Sequence, residues 1–302
     1  MSTFDPGALE CLVAIVEESG FERAAQRLNI TQSAVSQRLR ALEAQVGTVL
    51  IVRSRPLKAT AAGLLLLKHT KQMRLLRADL ERDLKELAPG STGNDREEER
   101  ISIAVNADSI ATWALDALDP LALQGLALEI IADDQDFTQE WLRSGQVLGC
   151  VTTLKQALRG CRVVPLGAMN YIAVASTAHL EQLLPGGLTP HTFSRVPFVA
   201  FNRKDDMQSE FVSRAFGLKC VALHQVFVPS SEAQVRAVLA GWGVSVLPEL
   251  LVRDALAAGR LVNLAAGQKL PVQLYWHCWN LASDVLESLT RALTDTASQV
   301  LE

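Results

Sequence analysis

Residues 27–47 read RLNITQSAVSQRLRALEAQVG. Val35, Leu39, Leu42 and Val46 recur at helical spacing, so one face of a helix over about 32–46 is apolar. Thr31 is placed to cap its start, because a hydroxyl can accept one of the free N–H groups of the first turn. Gly47 closes it. On the opposite side, Ser33, Ser36, Gln37 and Arg40 follow at i, i+3, i+4 and i+7, with Gln32 at the exposed N-terminal end. A merely solvated helix carries Glu/Lys pairs on that side. Short hydrogen-bonding groups and long cations suit a polyanion instead.

The flanking stretches place this helix in a known arrangement. Leu9, Leu12, Val13 and Val16 mark a first helix that Ser19-Gly20 should end, with Gly20 in the left-handed position. Phe21, Ala24, Ala25 and Leu28 mark a second, whose small alanines permit close approach, and Asn29-Ile30 breaks it. Three short helices with a tight turn before the third describe a helix-turn-helix. VLIVRSRPLKAT (49–60) follows, two extended pieces around Arg55-Pro56 that form a β-hairpin wing. From Ala61 to Leu87 the pattern is a long helix. Leu66, Met73, Leu80 and Leu87 recur every seven residues, supported by Leu76 and Leu84, a seam that two copies would share.

PGSTGNDREEER (89–100) is a linker by composition. Beyond it, apolar runs such as ISIAV, LALEII, VLGCV, YIAVA, PFVAF, QVFV, VSVL and VQLYW alternate with helical stretches, and a closing helix starts near Ser283. Alternating strands and helices predict an α/β domain of two lobes with largely parallel sheets. The expected organisation is an all-α winged helix-turn-helix at 1–60, a dimerising linker helix at 61–88, a flexible linker at 89–100 and a two-lobed α/β domain at 101–302.

Composition narrows the function. The 302 residues carry a net charge of −4, so nucleic-acid binding must rest on local charge. Between Glu22 and Thr60, seven Lys/Arg face only Glu22 and Glu43. No basic, apolar leader opens the chain and no apolar run reaches membrane-spanning length, so cytoplasmic localisation is expected, with no membrane partner. Five scattered cysteines without CxxC read as reduced thiols. The five histidines lack metal spacing, and neither GxSxG nor a phosphate loop occurs, so neither enzyme chemistry nor a cofactor is expected. A transport-type solute-binding protein is disfavoured by the helix-turn-helix.

Two sets of site residues follow. For double-stranded DNA, Thr31, Gln32, Ser33, Ser36, Gln37 and Arg40 would meet bases and backbone, while Arg53, Arg55 and Lys58 of the wing would hold phosphates. In the second domain, the turn after the strand of VNADSIATW (105–113) brings Asp108 and Ser109 to a helix start suited to a carboxylate. Asp134 (beside Asp133), Asp205 and Asp206 are candidates for ammonium groups. Thr152, Thr153, Ser231 and Glu232 are further candidates for orienting a small ligand.

Ala24 to Gly63 closely resembles the N-terminal signature of the LysR-type transcriptional regulators, including Ala24, Ala25, Leu28, Gln32, Ser33, Val35, Ser36, Leu42, Glu43, Gly47, Leu50, Arg53, Thr60 and Gly63. Ile51 departs from it, standing where the family usually has Phe. The resemblance implies a winged helix-turn-helix, a linker helix and an effector domain like a periplasmic binding protein. It also implies a homodimer or tetramer on an operator with inverted half-sites, and a contact with RNA polymerase. FERAAQRLNITQSAVSQRL, VNADSIATW, FNRKDDM (201–207) and VPSSEA (228–233) resemble the branch of lysine- and arginine-responsive regulators of basic amino-acid export, also called chromosome-initiation inhibitors. That branch implies lysine or arginine as effector. A different effector, or sequence-tolerant DNA binding that inhibits replication initiation, stands as the alternative.

Overall fold

The computed structural model describes residues 4–87, 100–133, 138–185, 187–219 and 221–302. Three helices open it: α1 Pro6–Glu17, α2 Phe21–Arg27 and α3 Gln32–Val46. Leu9, Leu12 and Ile15 of α1 bury a common core with Ala24, Ala25, Val35, Leu39 and Leu42, and Val46 is partly buried at its margin. The α1–α2 turn departs from expectation. Ser19 adopts the left-handed conformation (φ 51), while Gly20 is extended (φ −178) and serves as the N-cap of α2. Asn29 takes the left-handed position before α3 (φ 52), a conformation in which its short polar side chain is tolerated. Thr31 Oγ1 accepts from Ala34 N at 3.2 Å, and Gly47 ends α3 at φ 80.

The wing consists of β1 Ile51–Val52 and β2 Lys58–Ala59, paired antiparallel. Its base is fastened to α3 and to the next helix, α4 Ala61–Leu87. Glu43 Oε1 accepts from Leu50 N at 2.8 Å, and Thr60 Oγ1 donates to the Val49 carbonyl at 2.8 Å. The same hydroxyl accepts from Gly63 N at 3.1 Å and so caps α4. A Cβ on Gly63 would lie 2.2 Å from the Leu50 carbonyl oxygen, so this crossing admits only glycine without a backbone shift.

On α4, Met73, Leu76, Leu80, Leu84 and Leu87 are all exposed. Leu66 does not continue that seam. It is 8% exposed and belongs to the N-terminal core, whereas its neighbour Leu65 is 70% exposed. The first turns of α4 pack along α1, which claims Leu66. Leu75, further along, joins the core of the second domain. Of the predicted linker 89–100, all but Arg100 lies outside the described residues.

In the second domain, β3 Ile101–Asn106 runs into α5 Ala107–Ser109, a π-helical stretch Ile110–Ala114 and α6 Leu115–Leu123. With β4 Leu128–Asp133, α7 Thr138–Arg143 and β5 Gly149–Thr152 these form the first lobe. The long strand β6 Cys161–Ser176 crosses to the second lobe. That lobe holds α8 Leu180–Leu183, β7 Pro197–Ala200, α9 Met207–Phe216, β8 His224–Phe227, α10 Ser231–Leu239, β9 Ser245–Pro248, α11 Glu249–Ala257 and β10 Leu261–Asn263. β11 Leu270–Trp279 returns to the first lobe, where α12 Asp284–Val300 packs, capped by Ser283.

The sheets are mixed rather than largely parallel. β3 pairs parallel with β4 and β5, and β7 with β8. β6, however, pairs antiparallel with β11, β9 and β10, and β11 antiparallel with β5. The reason is connectivity: β6 leaves the first lobe and β11 returns to it, so the two lie side by side in opposite directions. A register shift between Leu274 and Tyr275 marks where the pair passes from one lobe to the other. No helix among the described residues is long and apolar enough to cross a membrane.

Candidate nucleic-acid interface and inter-lobe cleft

The outer side of α3 is open. Thr31, Gln32, Ser33, Gln37 and Arg40 are exposed, and Ser36 is half-buried. Gln32 and Ser36 line a cleft of about 390 Å³ together with Arg53 and Arg55 of the wing and Ser19, Phe21 and Ser54. The Arg53 guanidinium lies 5.1 Å from the centre of the Phe21 ring, a cation–π contact that orients it beside α3. Ser33, Gln37 and Arg40 lie on the same helix outside this cleft, and Lys58 is exposed on β2. Thr31 is engaged in capping, and its hydroxyl lies 3.0 Å from Ser33 Oγ. Ser19 and Ser54 escaped the sequence reading. Ser54, between two wing arginines, was findable; Ser19 enters only through its left-handed turn.

The second site lies where the lobes meet. Asn106, Asp108, Tyr171, Asp205, Gln208 and Gln234 line a cleft of about 40 Å³. Asp108 keeps a partly open surface toward the cleft although protein surrounds it. Burial pushes its carboxyl above the ordinary carboxylate range. The Ser231 and Tyr171 hydroxyls pull it back only in part, and the charge of Asp205 adds to the rise. Burial raises Asp205 as well, opposed by the N–H groups of Phe201 and Met207.

Several polar atoms at the same junction are buried without a hydrogen-bond partner: both amide atoms of Asn106, Ser109 Oγ and Ser231 Oγ. Ser231 lies near enough to Asp108 to favour its ionised form, yet outside ordinary hydrogen-bond geometry. Orphaned buried polar groups are uncommon, and those of Asn106, which lines the cleft, fit ligand groups that complete them.

Not every predicted residue enters this cleft: Ser109 and Ser231 are buried outside its lining. Asp205 enters it, but both its oxygens are occupied, by Phe201 N at 2.8 Å and Met207 N at 2.9 Å. Asp206 and Glu232 are exposed and absent from the lining, because each follows an inward residue and points the other way. Thr152 is buried against Gln139 Oε1 at 3.1 Å, and Thr153 is half-buried. Asp133 accepts from the Trp141 indole at 2.8 Å, whereas Asp134 lies outside the described residues. Tyr171, Gln208 and Gln234 were missed. They sit in an apolar strand and on two helices, with nothing local to distinguish them.

Comparison with known proteins agrees with both halves. The family model of the bacterial regulatory helix-turn-helix protein, lysR family, matches residues 6–64, and that of the LysR substrate binding domain matches residues 94–300. The chain is 41% identical over 303 residues to the HTH-type transcriptional regulator ArgP of Aeromonas salmonicida, covering 100% of this chain and 99% of that protein. The crystal structure of ArgP from Mycobacterium tuberculosis matches with a TM-score of 0.83 at 38% identity, over 100% of this chain and 99% of that one. Full-length LysG from Corynebacterium glutamicum with bound effector Arg matches with a TM-score of 0.73 at 33% identity, over 99% of both.

Proposed function

Because this chain belongs to the LysR family of bacterial helix-turn-helix regulators, we propose that it binds operator DNA through α3 and the wing and is switched by a basic amino acid held between its lobes. In this reading α3 enters the major groove, where Gln32, Ser36, Gln37 and Arg40 meet base edges and backbone. Arg53, Arg55 and Lys58 hold the flanking phosphates. Two copies pair along the exposed stripe of α4, so the operator has inverted half-sites, and tetramers form by pairing of dimers. The protein works in the cytoplasm, contacts RNA polymerase at its promoters, performs no catalysis, and controls export of basic amino acids.

One observation carries the effector assignment. Two carboxylates, Asp108 and Asp205, share a cleft with the unsatisfied Asn106 amide, and the unsatisfied hydroxyl of Ser231 lies beside Asp108. An uncharged ligand would leave the acids' desolvation unrelieved, whereas lysine or arginine brings a cation to Asp108 and a carboxylate to the Asn106 amide donor. The arginine seen in the related LysG supports the same class. Switching requires that the ligand prefer one arrangement of the subunits, since equal affinity for both shifts nothing.

The test is a gel-shift titration on operator DNA with and without arginine, lysine and citrulline. The cationic pair should change operator affinity or the size of the complex, and citrulline should not. Equal effects of all three would refute the effector class. A specificity ratio near one against random DNA would favour a sequence-tolerant binder instead.

A further inference from the structure

We propose that Tyr171 is a positioning residue for the effector, reaching across the junction of the lobes to hold the Asp108 carboxylate toward the ligand's cationic group. The inference rests on the effector reading above. Asp108 belongs to the first lobe, in the turn directly after β3. Tyr171 belongs to the second: its backbone partners in β6 are Leu270 of β11 and Pro248 of β9. The phenol donates to Asp108 Oδ2 at 2.6 Å. The Tyr171 ring is 1% exposed and packed in the core, so its hydroxyl has a fixed position. Both residues line the cleft.

The chemistry of that contact is specific. A rigid O–H aimed at one carboxylate oxygen fixes the side-chain rotamer and favours the charged form, leaving the second oxygen for a cation. Among the described residues, the ionisable groups acting on Asp108 are Tyr171 from β6 and Asp205 from the loop before α9, and the hydroxyl of Ser231 on α10 also favours its charged form. Asp205 opposes ionisation of Asp108, and Tyr171 works against it. Without the phenol, the Ser231 hydroxyl is left to offset burial and the neighbouring acid. A cationic ligand would then meet a carboxyl whose charged form is less favoured.

Tyr171→Phe removes the hydroxyl and keeps the ring. The measurement is calorimetric titration of the full chain with arginine across about pH 5 to pH 8.5, where the guanidinium stays charged. The expected result is an arginine Kd roughly tenfold weaker at neutral pH, in line with loss of a hydrogen bond to a charged group. The pH at which affinity is lost on acidification should move upward by about one unit, with recovery toward the alkaline end. In an Asp108→Asn background, Tyr171→Phe should no longer move the profile. A uniform loss at every pH, or profiles that superimpose while wild type binds arginine, would overturn the positioning role alone. Failure of wild type to bind either arginine or lysine would overturn the effector class and this role with it.

Discussion

Lys71 Nζ lies 2.9 Å from Glu17 Oε1, and the same ammonium donates to the Gln146 carbonyl at 3.0 Å. One side chain of α4 therefore touches both α1 of the DNA-binding domain and a loop of the effector domain. Arg74 reinforces the first half of the contact by pairing with Glu10 and, at 3.8 Å, with Glu17. Burial alone would raise the Glu17 carboxyl, but Lys71 and Arg27 more than offset that and hold it below the ordinary glutamate value.

The sign of its pH effect follows. A carboxylate with a depressed folded-state pKa stabilises the fold above its unfolded value, and that contribution is lost as pH falls through the folded value. Lys71→Met should therefore destabilise the chain at neutral pH, by about 1–3 kcal/mol for a partly buried pair losing one partner. The difference from wild type should shrink as the pH is lowered below the ordinary glutamate range. Urea unfolding at a series of pH values measures it, and a pH-independent difference would contradict the assignment.

Asp108 and Asp205 act in the opposite sense, since their folded-state values are raised. The ligand-free fold then binds their protons more tightly than the unfolded chain does. Their penalty is full above the raised values and is relieved as pH falls toward the unfolded carboxylate range, near about 4. Measured as thermal unfolding, wild type minus Asp108→Asn should improve on acidification, and added arginine should stabilise most at neutral pH. A difference that worsens on acidification would contradict the burial argument.

Arg40 and Arg53 are predicted to fail in different ways. Arg40→Ala, on α3, should weaken operator binding by about 1–3 kcal/mol and relax sequence preference at one base pair. Arg53→Ala, in the wing, should weaken binding evenly across sequences and reduce the salt slope by about one phosphate contact. Gel shifts over a salt series separate the two, and identical behaviour of both variants would refute the division of labour.

Leu80 and Leu84 stand exposed on α4 with Met73, Leu76 and Leu87. Leu80→Asp should convert a dimer to monomer at micromolar concentration while leaving the monomer fold intact, because neither side chain supports its own core. Sedimentation velocity reads the mass, and an unchanged dimer would place the interface elsewhere.

Gly63→Ala should destabilise the N-terminal domain by about 1–3 kcal/mol, the range for an overpacked contact. The methyl group meets the Leu50 carbonyl, which cannot move without disturbing its bond from Thr60 N at 2.9 Å. Thermal unfolding checks it. An unchanged transition would mean that the crossing is slack.

The DNA-binding half was legible because its determinants are local. Helical spacing of Val35, Leu39 and Leu42, the Thr31 cap and Gly47 each act within a few residues, and together they set which side of α3 faces out. Leu66 shows the limit of that logic: heptad spacing put it in the seam, but α1 lies against the first turns of α4 and buries it. The effector cleft was half legible. Asp108 is signalled by a strand-to-helix turn and lines the cleft, whereas Ser109, Asp206 and Glu232 do not, since one step along a chain turns a side chain away from its neighbour's direction.

By itself, then, the order of residues determined the three-helix reader, the wing, the long α4 and the alternation of strands and helices, since each follows from contacts between near neighbours in the chain. Only the folded molecule decided that β6 and β11 run in opposite directions between the lobes, and that Tyr171 meets Asp108 from 63 residues away. Those outcomes depend on how distant strands are threaded and packed, and no local pattern of hydrophobicity or charge encodes such a meeting.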